Sequence, residues 1–140
     1  MIYLVDKSAW EQLRHSEAAR ERFAHLAEAN EVATCPVIAA ELLFSAKNHQ
    51  QLRAHRAQLE RVLWVDTSDD AAHGMLGVQQ TLATRGHHRS VGIADLLIAS
   101  TAEAHWATLL HYDSDFERIA ELTGQPHEWI VPRGEGHGSA

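Results

Sequence analysis

Residues 107–124, ATLLHYDSDFERIAELTG, contain a strand pattern followed by a helix pattern, the unit from which the predicted fold is built. A short apolar run ends at Asp113, a helical pattern follows it, and Gly124 closes the helix. The same strand character occurs at residues 2–6 (IYLVD), 31–35 (EVATC), 61–66 (RVLWVD) and 128–132 (EWIVP). The helical patterns between them begin after plausible caps or first-turn residues: Ser8 or Ser16, Pro36, Asn48, Ser68 and Ser90. This alternation predicts an α/β fold of three α/β/α layers around a mostly parallel five-stranded sheet.

Length and composition indicate one domain. The chain has 140 residues, of which 45% are hydrophobic and 22% charged, the balance of an ordinary globular protein. We expect the domain to span residues 1–132 and residues 133–140 (RGEGHGSA) to form a flexible C-terminal tail. The single cysteine, Cys35, excludes an internal disulfide framework and a cysteine-based zinc site.

Charge and hydropathy restrict the partners. The net charge of −7 lacks the basic footprint of a passive nucleic-acid binder. The longest apolar stretch, VGIADLLIAS, contains an aspartate and is far shorter than the ~20 residues that span a bilayer. We therefore expect a cytoplasmic protein with no membrane partner.

Four acids occupy positions that suggest chemistry. Asp6 and Asp113 end strands, so in a parallel sheet both emerge at the carboxyl edge, where ligands bind. Helix capping is the alternative explanation for each of them. Glu41 and Asp95 lie instead on apolar helical faces, where we expect them to be buried and beyond the first turn.

The surroundings of Glu41 and Asp95 argue against a simple buried ion pair. No lysine or arginine occurs in residues 35–46 or 90–103. An ionised carboxylate in a dry core must be paired, protonated or bound to a cation. A cluster of such acids favours one or two oxygen-seeking cations, Mg²⁺ or Mn²⁺. Zinc is less favoured, because the eleven histidines show no ligand pattern.

Four segments together resemble the PIN-domain family, and within it the VapC-like toxin ribonucleases: MIYLVDKSAW, PVIAAELLFSA, ADLLIASTAEAH and ATLLHYDSDFERIA. The resemblance extends from Met1 to about Pro132 and implies cleavage of RNA at an acidic pocket that holds Mg²⁺ or Mn²⁺. It also implies that this chain is the toxin of a type II toxin–antitoxin pair, a homodimer neutralised by a small antitoxin protein. The same resemblance implies an apolar groove for that antitoxin, for which the early helices around Trp10, Leu13 and Leu43 are candidates.

The resemblance also assigns residues. Its catalytic acids correspond to Asp6, Glu41, Asp95 and Asp113, and its metal ligands to Asp6, Asp95, Asp113 and Asp115. Ser8 occupies the small polar position after the first acid, and Asp115 has a helix N-cap as an equal alternative. His111 departs from the family's pattern, which has Thr, Ser or Asn there. We expect it to orient a carboxylate or contact RNA.

Basic residues offer weaker candidates for RNA contacts. Arg85 and Arg89 immediately precede the Asp95 helix, and Lys47 begins a second basic stretch. An ordinary solvated helix face is the alternative for the second stretch.

Two other functions remain open from sequence. A receiver-like signalling module that accepts phosphate would use Asp66, at the end of the third predicted strand. The other function is that of a catalytically silent PIN-like protein, which retains its acids but serves mainly as a binding partner.

Overall fold

The computed structural model describes residues 1–136. Five strands lie in this range: β1 (Tyr3–Val5), β2 (Val32–Thr34), β3 (Leu63–Trp64), β4 (Thr108–His111) and β5 (His127–Trp129). Seven helices connect them: α1 (Lys7–Gln12), α2 (Glu17–Glu28), α3 (Pro36–Phe44), α4 (His49–Leu59), α5 (Asp69–Thr84), α6 (Ile93–Ala104) and α7 (Ser114–Thr123). No helix within the described range is long and apolar enough to cross a membrane.

The strands form one sheet in the order β3-β2-β1-β4-β5, and every pairing is parallel. The predicted α/β architecture is therefore confirmed, with a sheet that is wholly rather than mostly parallel. Alternate strand residues face two different cores. Leu4 and Leu109 pack with residues of α3, α5, α6 and α7, whereas Val5 and Leu110 pack with residues of α1 and α2.

Most of the predicted helix boundaries agree with the structure. Ser16, Asn48 and Ser68 cap α2, α4 and α5 through their side chains. Pro36 is the first residue of α3, and Gly124 ends α7 in the left-handed conformation, with φ 72°. β5 begins one residue earlier than predicted, because its pairing with β4 runs from His127 to Trp129.

Of the alternatives Ser8 and Ser16, Ser16 is confirmed as a cap and Ser8 is not, and the predicted cap Ser90 is wrong. Asp6 rather than Ser8 precedes α1, since the Asp6 carboxylate accepts the Ser8 backbone N–H. Gly92 rather than Ser90 precedes α6. The Ser90 hydroxyl donates to the His87 carbonyl at 2.7 Å, so it closes the preceding turn instead of capping the helix.

Part of the expected tail is in contact with the domain. The backbone N–H groups of Gly134 and Gly136 donate to the Tyr112 hydroxyl at 3.1 and 2.9 Å. Residues 137–140, the rest of that tail, lie outside the described residues. The division of the chain at residue 132 stays a prediction.

Candidate metal centre

The candidate site lies where the strand order reverses. From β1 the sheet extends through β2 to β3 on one side, and through β4 to β5 on the other. Ligands of open parallel sheets bind at this point, beyond the carboxyl ends of the strands. Asp6 follows β1 directly, and its backbone N–H donates to the Leu110 carbonyl of β4 at 2.9 Å. Asp6 after β1 and Asp113 after β4 therefore emerge at the same edge of the sheet. We call the space beyond this edge the crevice.

Asp6 is buried and tightly held. Its Oδ2 accepts hydrogen bonds from the Ser8 backbone N–H at 2.9 Å and the Ser8 hydroxyl at 2.6 Å. The Ser8 hydroxyl also accepts the Tyr112 backbone N–H at 2.9 Å, which ties the loop after β1 to the loop after β4. Burial raises the pKa of Asp6 to about 6 against the Ser8 hydrogen bonds, with further increases from Glu41 and Asp113. Asp6 therefore both caps α1 and belongs to an acidic site.

Three carboxylates converge beside it. One oxygen from each of Asp95, Asp113 and Asp115 lies within 4.8 Å of the other two. Asp113 caps α7, and its Oδ1 accepts the Asp115 backbone N–H at 2.9 Å. Burial, and secondarily Asp113, raise the pKa of Asp115, while Arg118 lowers it from 3.7 Å away. Both explanations of Asp113, helix cap and acidic site, therefore hold together.

Asp95 lies elsewhere on its helix than expected. Because α6 begins at Ile93 after Gly92, Asp95 is in the first turn rather than beyond it. The helix dipole favours an ionised carboxylate there. Nevertheless, burial raises the pKa of Asp95 to about 8, and the other four acids of the crevice add to the increase. Desolvation and carboxylate repulsion outweigh the dipole.

Glu41 approaches the crevice from α3 and is only half-buried. Burial raises its pKa, Lys7 lowers it and Glu11 raises it again. Glu41 contributes to the raised pKa of both Asp6 and Asp95, which places it in their electrostatic field. It lines a cavity of about 490 Å³ together with Lys7 and exposed apolar residues of α3.

The donor set fits a hard divalent cation. The three convergent groups offer carboxylate oxygens only, the ligands that Mg²⁺ and Mn²⁺ prefer. Asp95 has no ion pair with any residue in 1–136, so no basic side chain replaces the cation there. Of the four predicted ligands, Asp95, Asp113 and Asp115 meet in this group, whereas Asp6 lies beside it.

His111 is buried under the crevice and both its ring nitrogens are engaged. Nδ1 accepts the Asp113 backbone N–H at 3.2 Å, and Nε2 lies 2.9 Å from His127 Nδ1. Burial, with a smaller effect of His127, lowers the pKa of His111 to about 3. Because both nitrogens are already hydrogen-bonded within the protein, the ring is not available as a metal ligand.

The predicted RNA-contact residues are all exposed. Lys47 lines a groove of about 470 Å³ between α1, α3 and α4, away from the three convergent acids. Sequence reasoning missed Arg118, whose guanidinium lies at the rim of the acid cluster and 3.5 Å from the Ser90 carbonyl. Its helical spacing of three residues from Asp115 was the available signal.

The same groove agrees in part with the predicted apolar surface. Trp10 and Leu13 line it, together with Leu42 rather than Leu43. The buried indole Nε1 of Trp10 and Nδ1 of His55 have no hydrogen-bond partner within residues 1–136.

The structure removes the support for a receiver-like module. Asp66 follows β3, the edge strand, and is exposed. Its carboxylate accepts the Trp64 indole N–H at 2.9 Å and takes no part in the acid cluster described above.

Comparisons with known proteins agree on one family. The family model described as PIN domain matches residues 3–122. Ribonuclease VapC18 of Mycobacterium tuberculosis is 38% identical over 136 residues, 96% of this chain and 98% of the relative. The VapBC2 structure from Rickettsia felis, solved with a DNA fragment from its promoter, has a TM-score of 0.78 at 26% identity, covering 92% of this chain and 98% of that one. VapBC-5 of M. tuberculosis, from a family of toxin–antitoxin systems, has a TM-score of 0.57 at 27% identity, covering 93% of this chain and 98% of that one.

Proposed function

This chain belongs to the PIN-domain family, and from that premise we propose that it is a metal-dependent endoribonuclease, the toxin of a type II toxin–antitoxin pair. The observation that carries the proposal is the convergence of Asp95, Asp113 and Asp115 within 4.8 Å at the ligand edge of the sheet. The ribonuclease name of a relative that matches nearly the full chain supports RNA as the substrate.

Asp95, Asp113 and Asp115 are the residues we assign to the cation, Mg²⁺ or Mn²⁺, with Asp6 beside them as a further ligand. A bound divalent cation supplies an activated attacking water and neutralises charge on the transition state of phosphodiester hydrolysis. One or two ions fit the proposal.

The other acids act through position and proton transfer. Two hydrogen bonds from Ser8 hold Oδ2 of Asp6, which fixes the orientation of the carboxylate and leaves Oδ1 for the crevice. Because the carboxylate is already ordered, binding a ligand costs no further conformational entropy of this side chain. Glu41 has no hydrogen bond or ion pair within residues 1–136, which leaves its carboxylate free to orient a water or accept a proton. Asp6, Glu41, Asp95 and Asp113 together form the proposed catalytic set.

Cations around the crevice account for RNA binding. We place Arg118 nearest to the scissile phosphate, because it already lies 3.7 Å from Asp115. Arg118 also lies 3.5 Å from the Ser90 carbonyl, and Arg89, which directly precedes Ser90 in the chain, and Arg85 are the further candidates for phosphate contacts. Lys47 would contact RNA only at a distance from the cleaved bond. Binding through phosphates weakens as salt rises.

A protein antitoxin is the proposed second partner. The solved VapBC structures support a toxin–antitoxin pair. We place the antitoxin in the groove in which Trp10, Leu13 and Leu42 form an apolar part, here called the apolar floor, beside charged residues that include Lys7, Glu11, Arg14 and Lys47.

Cleavage assays with matched variants test the proposal. Purified protein is incubated with structured RNA in Mg²⁺, Mn²⁺ or EDTA, beside Asp95→Asn, Asp113→Asn and Asp66→Asn. We expect the first two variants to lose about 100-fold or more, since even outer partners of metal ligands cost ~10–100-fold. Asp66→Asn, which removes an exposed acid outside the cluster, should cleave like the wild type. Equal cleavage by Asp95→Asn and the wild type would refute the assignment.

A further inference from the structure

We propose that His111 is a positioning residue, which holds Asp113 in place for the cation through Nδ1 and is itself oriented by His127. This inference rests on the proposed function, because it assigns Asp113 to the metal. It adds two histidines, one on β4 and one on β5, to the machinery of the site.

The hydrogen bonds define where the protons lie. The Asp113 backbone N–H can only donate, so His111 Nδ1, 3.2 Å away, must be an unprotonated acceptor. The proton of the neutral ring is then on Nε2, which donates to His127 Nδ1 at 2.9 Å. Hydrogen bonds therefore run in one direction from Asp113 through His111 to His127.

Packing prevents the His111 ring from leaving this arrangement. Its exposed fraction is 0%. Its centroid lies 4.9 Å from the ring of Trp129 and 5.2 Å from those of Phe116 and His127. A flip of the ring would direct a carbon at the Asp113 N–H and leave that donor without a partner.

Asp113 is thereby held at both ends. Its backbone N–H is fixed by His111, and its carboxylate Oδ1 is fixed by the Asp115 backbone N–H at 2.9 Å. The second carboxylate oxygen remains for the cation. Apolar packing alone does not explain His111, because the preceding β4 residues Leu109 and Leu110 fill equally buried positions without needing hydrogen-bond partners.

Two near-isosteric variants separate the roles of the two ring nitrogens. His111→Asn keeps an acceptor at the level of Nδ1, whereas His111→Gln keeps a polar group at the level of Nε2 and loses the acceptor for Asp113. Mn²⁺ binding is measured by electron paramagnetic resonance on each variant. Amide exchange at Asp113 is measured by NMR on the metal-free proteins, and circular dichroism checks their folding.

We expect His111→Asn to bind Mn²⁺ within a few-fold of the wild type and to protect the Asp113 amide. His111→Gln should bind about 10-fold or more weakly and exchange faster, the loss typical of an outer partner of a metal ligand. If both variants bind Mn²⁺ like the wild type, the role of His111 is refuted and the nuclease proposal stands. If the wild type itself binds no Mn²⁺ at these acids, both proposals fail.

If the His111 variants do not fold, two variants of the half-buried His127 test whether its hydrogen bond orients His111. His127→Asn retains an acceptor for the His111 Nε2–H, and His127→Ala removes it. We expect several-fold weaker Mn²⁺ binding in His127→Ala only. Equal binding by both would show that His127 does not orient His111 and would overturn that part of the proposal.

Discussion

Asp95 has a strongly raised pKa although it lies in the first turn of α6, where the helix dipole favours the ionised form. Its apolar neighbours and the missing lysines and arginines correctly indicated a perturbed acid. The sequence placed Asp95 beyond the first turn because Ser90 is a favourable N-cap residue. In the structure the Ser90 hydroxyl donates to the His87 carbonyl, and α6 begins at Ile93 instead. Local competition between two backbone targets of one serine is not visible in a single sequence.

The raised pKa of Asp95 predicts a stability change with pH. A carboxyl whose folded pKa lies above its unfolded value stabilises the fold fully below the unfolded pKa, and that contribution is lost as pH rises through the folded pKa. For Asp95 the loss runs from pH near 4 to about 8. In metal-free protein at pH 8, we expect Asp95→Asn to raise the midpoint of thermal unfolding by about 5 °C.

The same substitution should raise the midpoint much less at pH 5, because only the first part of the loss between pH 4 and 8 has occurred there. Excess Mn²⁺ should stabilise the wild type at pH 8 and the variant much less, since binding to the native state adds stability. Scanning calorimetry measures both. A variant less stable than the metal-free wild type at pH 8 would mean that Asp95 is ionised and compensated within the protein.

At the scale of elements, the sequence predicted the central strands better than the edges. β1 and β4 are short and largely buried, and an acid follows each within two residues, Asp6 after β1 and Asp113 after β4. β3 has only two paired residues, which is too short for a clear strand pattern. β5 is held in part by an arginine that is remote in the sequence. Arg22 of α2 donates to the Trp129 carbonyl at 2.6 Å and pairs with Glu128, a contact between residues more than a hundred positions apart.

The groove between α1, α3 and α4 yields a prediction about the antitoxin. Leu13→Glu should weaken binding of the cognate antitoxin by about 10-fold or more, because it introduces a charge on the proposed apolar floor. RNA cleavage by the free toxin should be unchanged. Isothermal titration calorimetry measures the affinity.

Leu76→Glu is the matched control, since Leu76 is a 55% exposed leucine on α5 outside that groove. Its antitoxin affinity should equal that of the wild type. Equal affinities for all three proteins would remove the groove from the proposed interface.

At the scale of the whole molecule, strand–helix alternation predicted the fold class, and strand order then explains the site. Asp6 and Asp113 meet because β1 and β4 are neighbours, although more than a hundred residues separate them. Sequence alone indicated that both acids lie at the carboxyl edge but not that their strands are adjacent. Glu41 and Asp95 reach the crevice from two helices, α3 and α6, of the same layer.

An exposed apolar side chain leads to a prediction about assembly. Phe44 at the end of α3 is 89% exposed and lines the cavity that contains Glu41. We assign Phe44 to the contact of the proposed homodimer and expect Phe44→Ser to shift sedimentation toward the monomer. Trp106→Ser, which removes a 93% exposed ring elsewhere, should remain dimeric. Unchanged dimerisation of Phe44→Ser would place the contact elsewhere.

Anomalous scattering of Mn²⁺ in crystals of the protein would locate the cation among the acids. We predict a Mn²⁺ peak within coordination distance, ~2.0–2.2 Å, of oxygens from Asp95 and Asp113, with Asp115 in or next to that shell. Crystals soaked in saturating Mn²⁺ that show no peak there, or that show Asp95 turned away from Asp113, would contradict the account.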